Sequence, residues 1–360
     1  MEYSEVDSRR FGMRIFRATL AEVREQEIFS DLLENRVDIA ILRFPTSQQV
    51  NLCRLERIGV PYVVADTLVF YELDLADRVL RPPKNPGLVF EPATELHNKE
   101  MNELVGEIFA GYTNHYAANP VLPKADMLAG YCEWARSYCR QGEGGRFAWI
   151  VRDQGEPVAF LTCSETSDHR ECEGILYGVS SRVTGRGIYG DLIRFSQHFF
   201  QQRGIPRMKV STQVQNVAVQ KAWVRAGFVP SLSFVTVHVN SFLNYSVRPV
   251  DSFPLTVSSA DATEYGLIID RVASRYFGTS FPGPGCIYLH CSYRFLRPIL
   301  LSKQYKVEVA FPFSDETRGF STAVLRVLDV QGNLCVLSYH GLRKGRTRRT
   351  TDAVHLSVAK

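Results

Sequence analysis

The sequence predicts an α+β protein made of three consecutive stretches, and three observations lead there. Strand-like and helix-like patterns alternate as far as about residue 240. Within that alternation a glycine-rich turn, SRVTGRGIYG, joins one strand to one helix. Beyond about residue 250 a single helix pattern is followed by four strand patterns at hairpin spacing. A chain of 360 residues has room for two or three domains.

The first stretch, 1–82, reads as a small α/β unit. A helix (LAEVREQEIFSDLLENR) leads into an apolar strand (VDIAILRF), a second short helix (SQQVNLCRLERIG) and two strands within PYVVADTLVFYELDL. The proline-rich RPPKNPG then reads as a linker. The second stretch, 83–245, runs through a strand (LVFEPA), helices on each side of NPVLPKADM, and the pair FAWIVRD and PVAFLTCSE joined by QGE. It continues with the strand GILYGVS, the glycine-rich turn, an amphipathic helix (YGDLIRFSQHFFQQRG), a strand (RMKVSTQ), a helix (NVAVQKAWVRAG) and a last strand (SFVTVHVN). The third, 250–360, holds the helix TEYGLIIDRVASRYFG, the strands IYLHCSYRFL, QYKVEVAFPF, GFSTAVLRVLDV and NLCVLSYHGL, and a basic tail.

Composition narrows the class. With 45% hydrophobic residues, 22% charged and a net charge of +4, the chain is ordinary globular protein, with no expectation of nucleic-acid binding. The run Arg343, Lys344, Arg346, Arg348 and Arg349 reads as a solvated tail able to meet an anionic partner. MEYSEVDSRRFG has no apolar core of a leader, and no apolar run reaches membrane-span length, so the expectation is a cytoplasmic protein with no membrane partner. Eight cysteines without a Cys-x-x-Cys pair read as reduced thiols, and no metal is expected.

Gly185, Gly187 and Gly190 allow a tight turn that points backbone N–H groups outward at a helix N-terminus, which suits a pyrophosphate; the alternative is a turn and nothing more. After the next strand come Asn216, Val219, Ala222, Trp223, Gly227 and Phe228. This series, in this order behind the glycine-rich turn, resembles the GNAT superfamily of acyl-CoA-dependent N-acyltransferases.

The resemblance implies that acyl-CoA is the co-substrate, with its pantetheine arm between the strands GILYGVS and RMKVSTQ. The N–H groups of Arg186, Gly187, Ile188, Tyr189 and Gly190 would hold the pyrophosphate, and Asn216 would steady the arm. A backbone N–H near Gly178 or Val179, at a strand bulge, would bind the oxyanion. Two positions depart from the family pattern: Thr184 replaces its Gln or Arg, and Tyr189 its last small residue. A third departure touches the chemistry, because Trp223 stands where the family places an acidic tyrosine. Trp223 either packs in the core or offers a weak N–H donor, leaving protonation of the thiolate to water, Tyr177 or Tyr189. Glu173 and His169 are the candidate bases, each with a second reading as a loop residue.

The segments LERIGVPYVVADTLVFYELDL, FAGYTNHYAANPVLPKADMLAGYCEWARSYCRQ, GRGIYGDL and TQVQNVAVQKAWVRAG resemble the dTDP-fucosamine acetyltransferases, which carry a truncated GNAT-like α/β unit before the catalytic domain. That implies a small-molecule amine acceptor, a nucleotide-linked amino sugar, near His115, Tyr116 and Asn119. GYTNHYAANP reads equally as a polar loop packed by its tyrosines.

FGTSFPGPGCIYLHCSYRFLRPI resembles the MaoC-like hydratases, which have a hotdog fold. The family's Asn-Pro-x-His segment is missing, and Asp261, Glu264 and His290 do not replace it. The fold expectation is therefore a truncated GNAT-like unit, a GNAT domain and a single hotdog lacking the hydratase dyad. That hotdog would hold an acyl-pantetheine chain, dock an acyl carrier protein, or form a homodimer. The function expected is N-acyl transfer; the alternatives are thioester hydrolysis or decarboxylation, and a non-catalytic acyl-thioester scaffold.

Overall fold

The structure, a computed structural model, describes residues 1–244, 250–257 and 265–344, the side chains of 125 and 265–267 apart. Asp261, Glu264 and the basic residues from Arg346 on lie outside the described residues. The chain forms two compact units. The first is Met1–Arg24, Ala40–Leu52 and Tyr62–Val239; the second is Glu25–Ile39, Cys53–Pro61 and the described residues from Asn240 on.

In chain order the elements are β1 (Glu2–Tyr3), α1 (Glu5–Phe11), β2 (Ile15–Thr19), α2 (Glu25–Glu34), β3 (Ile39–Pro45), a 3-10 segment (Thr46–Ile58), β4 (Tyr62–Asp74) and β5 (Val89–Pro92). Next come α3 (Asn98–Phe109), α4 (Lys124–Arg136), β6 (Arg146–Asp153), β7 (Glu156–Glu165), β8 (Glu171–Val179), α5 (Ile188–Gln202), β9 (Arg207–Gln213), α6 (Val217–Arg225) and β10 (Val229–Asn240). The rest are β11 (Asp251–Thr256), α7 (Tyr265–Thr279), β12 (Ile287–Phe295), β13 (Gln304–Asp315), β14 (Phe320–Asp329) and β15 (Leu334–Arg343).

A ten-stranded sheet runs β1-β2-β3-β10-β4-β9-β8-β7-β6-β5, so strands of the 1–82 and 83–245 stretches share one sheet. At β6 it is covered on both faces, as the unbroken apolar run of FAWIV requires. From β6, Phe147, Trp149 and Val151 enter the core formed with α5, while Ala148 and Ile150 enter the core formed with α3 and α4. Gln154 and Gly155, both at positive φ, make the tight β6–β7 hairpin turn. Helix α5 buries Leu192, Ser196 and Phe200 at four-residue spacing. Gly227, at φ 94, ends α6 in the left-handed region; the Phe228 N–H returns to the Trp223 carbonyl at 3.0 Å and its ring enters the core.

Two expected elements differ. SQQVNLCRLERI is a 3-10 segment rather than an α-helix. PYVVADTLVFYELDL gives one strand, β4, rather than two. Asp66 is a poor strand former, but β4 is paired on both sides, with β10 and β9, and the irregularity is absorbed where Thr236 and Val237 skip Ala65.

In the second unit, β11-β13-β14-β15-β12 form an antiparallel sheet. Ile268, Ile269, Ala273, Tyr276 and Phe277 of α7 share a core with Val307, Val309, Leu325, Val327 and Val336 of that sheet.

Candidate active site

The site begins with a split in the ten-stranded sheet. β8 and β9 pair in parallel, and only from Glu171↔Arg207 to Gly174↔Val210. Beyond that point β8 stays on β7 as far as Val179, and β9 stays on β4 as far as Gln213. The two strands therefore part, and a wedge opens between their C-terminal ends, the usual place for ligands in such sheets.

A bulge sets which β8 side chains face which way. Cys163 pairs with Gly174 and Thr162 with Leu176, leaving Ile175 as the extra residue. Before the bulge Cys172 faces the α5 core; after it Leu176, of the same parity, faces the α3–α4 core. Glu173, Ile175 and Leu176 thus line one cavity together. The bulge lies three residues before Gly178, not at Gly178 or Val179 as expected. Gly178 is explained by packing, since a Cβ there would sit 2.7 Å from the Phe160 ring and 2.9 Å from Ile108.

The glycine-rich turn follows β8. Gly185 (φ 86) and Gly187 (φ 80) are left-handed, and Ile188, Tyr189 and Gly190 form the first turn of α5, where helix N–H groups lack intrahelical partners. A cleft of about 450 Å³ is bounded by this turn, Tyr177, Gly178, Val179 and Tyr112. The Arg186 guanidinium is paired with Asp153 at 2.6 Å.

RPPKNPG, expected as a linker, is strapped onto this turn. The buried Asp191 carboxylate accepts from Lys84 N (2.7 Å), Asn85 N (3.0 Å), Asn85 Nδ2 (2.6 Å) and Arg194 (2.7 Å). Asn85 also donates to the Arg186 carbonyl at 3.1 Å. The Lys84 side chain runs past Gly187, its Cδ 3.7 Å from where a Cβ would stand. The sequence reading missed Lys84 because nothing in a proline-rich segment says what it lies against.

The other residues expected beside an acyl donor hold the framework. Asn216 precedes α6 and donates to Thr212 of β9 at 3.2 Å. The Tyr177 hydroxyl donates to Ser196 (2.7 Å) and lies 3.3 Å from Cys163 Sγ; burial pushes its pKa well up. Trp223 is buried beside Tyr71, ring centroids 5.5 Å apart, and its Nε1 has no hydrogen-bond partner among the described residues. Burial raises the Tyr189 phenol.

A larger cavity, about 680 Å³, lies on the other side of Phe109 and Tyr112, which line both spaces. Asp7, Arg10, Arg17 and Arg43 reach it from the N-terminal elements, Glu173 from β8, and Thr212 and Gln213 from β9. Tyr112, which the sequence reading passed over, donates its hydroxyl to Gln213. Tyr116 donates to Asp7 at 2.7 Å and accepts from Arg17. Burial, then the neighbouring Glu171, raises the Glu173 carboxyl, against the pull of Lys209 and Arg43.

His115 is on the cavity wall, but its Nδ1 is turned to His238 Nε2 at 2.9 Å. Asn119 is buried and holds His238 Nδ1 at 3.2 Å. Of the three residues expected at the acceptor, Tyr116 and His115 line the cavity and Asn119 lies behind them. His169 sits in an exposed turn, 3.5 Å from Glu165. Among the described residues no three His, Cys, Asp or Glu side chains gather as metal ligands, and all eight cysteines are free thiols.

No curated protein matches the chain. Among solved structures it is similar to a GCN5-related N-acetyltransferase from Sphaerobacter thermophilus, at 16% identity and TM-score 0.41, covering 59% of this chain and 64% of that one, just under two thirds of its length. A GCN5-related N-acetyltransferase from Kribbella flavida gives 15%, TM-score 0.41, and 62% and 80% coverage. An (R)-hydratase from A. caviae gives 17% and TM-score 0.24, covering 26% of this chain and 92% of that one. Residues 108–228 match the model of the acetyltransferase (GNAT) family, a stretch from the end of α3 to Phe228 that holds the turn, the split strands and the Asn-led helix. Residues 108–228 of this chain are therefore a GNAT acetyltransferase domain by their match to that family model.

Proposed function

We propose that the protein moves an acyl group from acyl-CoA, or from an acyl carrier protein, to a small amine held in the larger cavity. The observation that carries this reading is the shared wall: Phe109 and Tyr112 border both the cleft at the glycine-rich turn and the cavity containing Glu173. A pantetheine arm entering the split between β8 and β9 ends beside Tyr112, where an amine reaches it from the other side.

The amine attacks the thioester carbonyl carbon, the C–S bond breaks, and its electron pair goes to sulfur. The amine's proton leaves through Glu173, directly or by one water, and the sulfur is finally protonated. A buried carboxyl with a raised pKa suits a base that takes a proton and gives it back. A nucleotide-linked amino sugar fits a cavity of this size with tyrosines and amides in its wall, and we take it as the acceptor to test first. We further propose that the second unit's sheet with α7 is a single hotdog that holds an acyl chain or pairs two copies of the chain.

The test is thiol release from acetyl- through 3-hydroxyacyl-CoA, with and without a dTDP-linked 4-amino sugar. Release that requires the amine supports transfer. Release without it favours thioester hydrolysis, and tight CoA binding without release favours a scaffold.

A further inference from the structure

The charges of the larger cavity balance in number but are not all paired. Its wall carries Arg10, Arg17 and Arg43 against Asp7, Glu133 and Glu173. Arg17 is taken by Asp7 at 2.5 Å and by Tyr116, and Arg10 by Glu133 at 3.0 Å and Asp7 at 3.7 Å. Arg43 and Glu173 remain, with no hydrogen bond or ion pair to another described side chain.

Arg43 is on β3, half-buried, and its Nε is shut off from solvent without an acceptor. A guanidinium N–H in that state is a donor that an oxyanion can satisfy. Of the two carboxylates that attract Arg43, Asp66 acts more strongly than Glu173. It is close enough to attract Arg43 but makes no ion pair with it, and burial keeps its carboxyl pKa raised, which weakens its hold. Lys209 is held by Glu171 at 2.6 Å and does not reach Glu173.

We propose that the acceptor is a zwitterion, an amine that also carries an oxyanion, with the amine at Glu173 and the carboxylate or phosphate on the Arg43 guanidinium. The proposal rests on the transferase reading and narrows its substrate class. It gives the N-terminal elements a role in the reaction, because Arg43 and the paired Arg17 come from β3 and β2 while the base comes from β8. Arginine is suited to the task, since its planar fork meets two oxygens at once.

The experiment compares acetyl-CoA-dependent acylation of ethanolamine, β-alanine and O-phosphoethanolamine, which share a primary amine and differ in carrying no anion, a carboxylate or a phosphate. A dTDP-linked 4-amino sugar is run beside them, and dTDP binding is measured directly by calorimetry. We expect kcat/KM for at least one anionic amine to exceed that for ethanolamine by about tenfold or more. The preferred member tells a carboxylate from a phosphate. In Arg43→Gln that preference collapses toward unity and dTDP affinity falls about tenfold or more, Arg43→Lys recovers part of both, and acetyl-CoA affinity, the check on folding, is retained. Equal use of ethanolamine and the anionic amines would overturn the proposal while leaving the transferase standing, as would dTDP binding that ignores Arg43→Gln. Arg43-dependent dTDP binding with no acylation of any amine would support the anion site and sink the transferase reading instead.

Discussion

His115 Nδ1 lies 2.9 Å from His238 Nε2, with both rings buried. Two ring nitrogens this close need one proton between them. With the Asn119 amide donating to His238 Nδ1 at 3.2 Å, the proton is on His238 Nε2 and is donated to His115. Both rings are therefore neutral. Burial, then the facing His238, holds His115 well below its usual pKa, and burial and Arg17 bring His238 down to about 3.

A depressed histidine leaves the unfolded chain binding more protons below about pH 6.5, so the pair's contribution is full above that value and is lost as pH falls toward 3. Each ring contributes a slope of at most about 1.4 kcal/mol per pH unit in that window. Asp66 and Glu173, whose carboxyls are raised, act in the opposite sense, since protonation relieves them. The comparison that isolates the pair is thermal unfolding of wild type and His238→Asn from pH 7 to 5. The wild type should lose stability more steeply; parallel curves would mean that the native rings take up protons in this range.

Tyr189 and Trp223 bear on the missing acidic tyrosine. Tyr189 lines the donor cleft, whereas Trp223 is in the core behind it with an unpartnered N–H. A phenol raised by burial stays protonated at ordinary pH and can donate a hydrogen bond to the departing sulfur. Tyr189→Phe should lower kcat about 10- to 100-fold with little change in acyl-CoA affinity, the pattern of an interaction made only in the transition state. Adding Trp223→Tyr should restore part of the rate. A Tyr189→Phe enzyme with wild-type kcat would assign protonation to solvent.

The strap at residues 81–87 makes a separate prediction. Asp191→Ala removes the acceptor of two backbone N–H groups and two side chains, and should cost about 2 to 4 kcal/mol in stability. Lys84→Met keeps the backbone bonds and removes only the cation beside Gly187. It should raise the acyl-CoA Kd severalfold at low salt, and less at high salt, with the melting temperature unchanged. Equal affinities at both salt concentrations would remove Lys84 from the site.

What the sequence showed of this site depended on the range of the interaction. The turn at Gly185–Gly190 and the Asn216-to-Phe228 spacing are local: glycines at positive φ and a helix closed by Gly-Phe leave their mark within a dozen residues. The hairpin of β6 and β7 was legible for the same reason. The cavity was not, because Asp7, Arg17, Arg43, Tyr112 and Glu173 come from five separated segments and meet only through sheet order. The bulge at Ile175 was hidden as well. It inverts the facing of β8, and only pairing with Thr162 and Cys163 reveals it.

That bulge gives Glu173 its place and makes the last prediction. Glu173 stands before the bulge and shares the cavity with Ile175 and Leu176 after it, so its carboxyl and the β8 end of the split serve the same space. If Glu173 takes the amine's proton, kcat/KM must fall at low pH as the carboxyl protonates, and burial places that acid limb above the ordinary glutamate value. Glu173→Gln keeps the shape and removes the base. It should lower kcat/KM about 100-fold or more near neutral pH, flatten the acid limb, and leave acetyl-CoA affinity intact. Raising the pH should recover part of the lost rate, since a larger share of the amine is then neutral without help. A Glu173→Gln enzyme that keeps the wild-type acid limb would show that the titrating group is elsewhere, and the amine would then lose its proton to water before it binds.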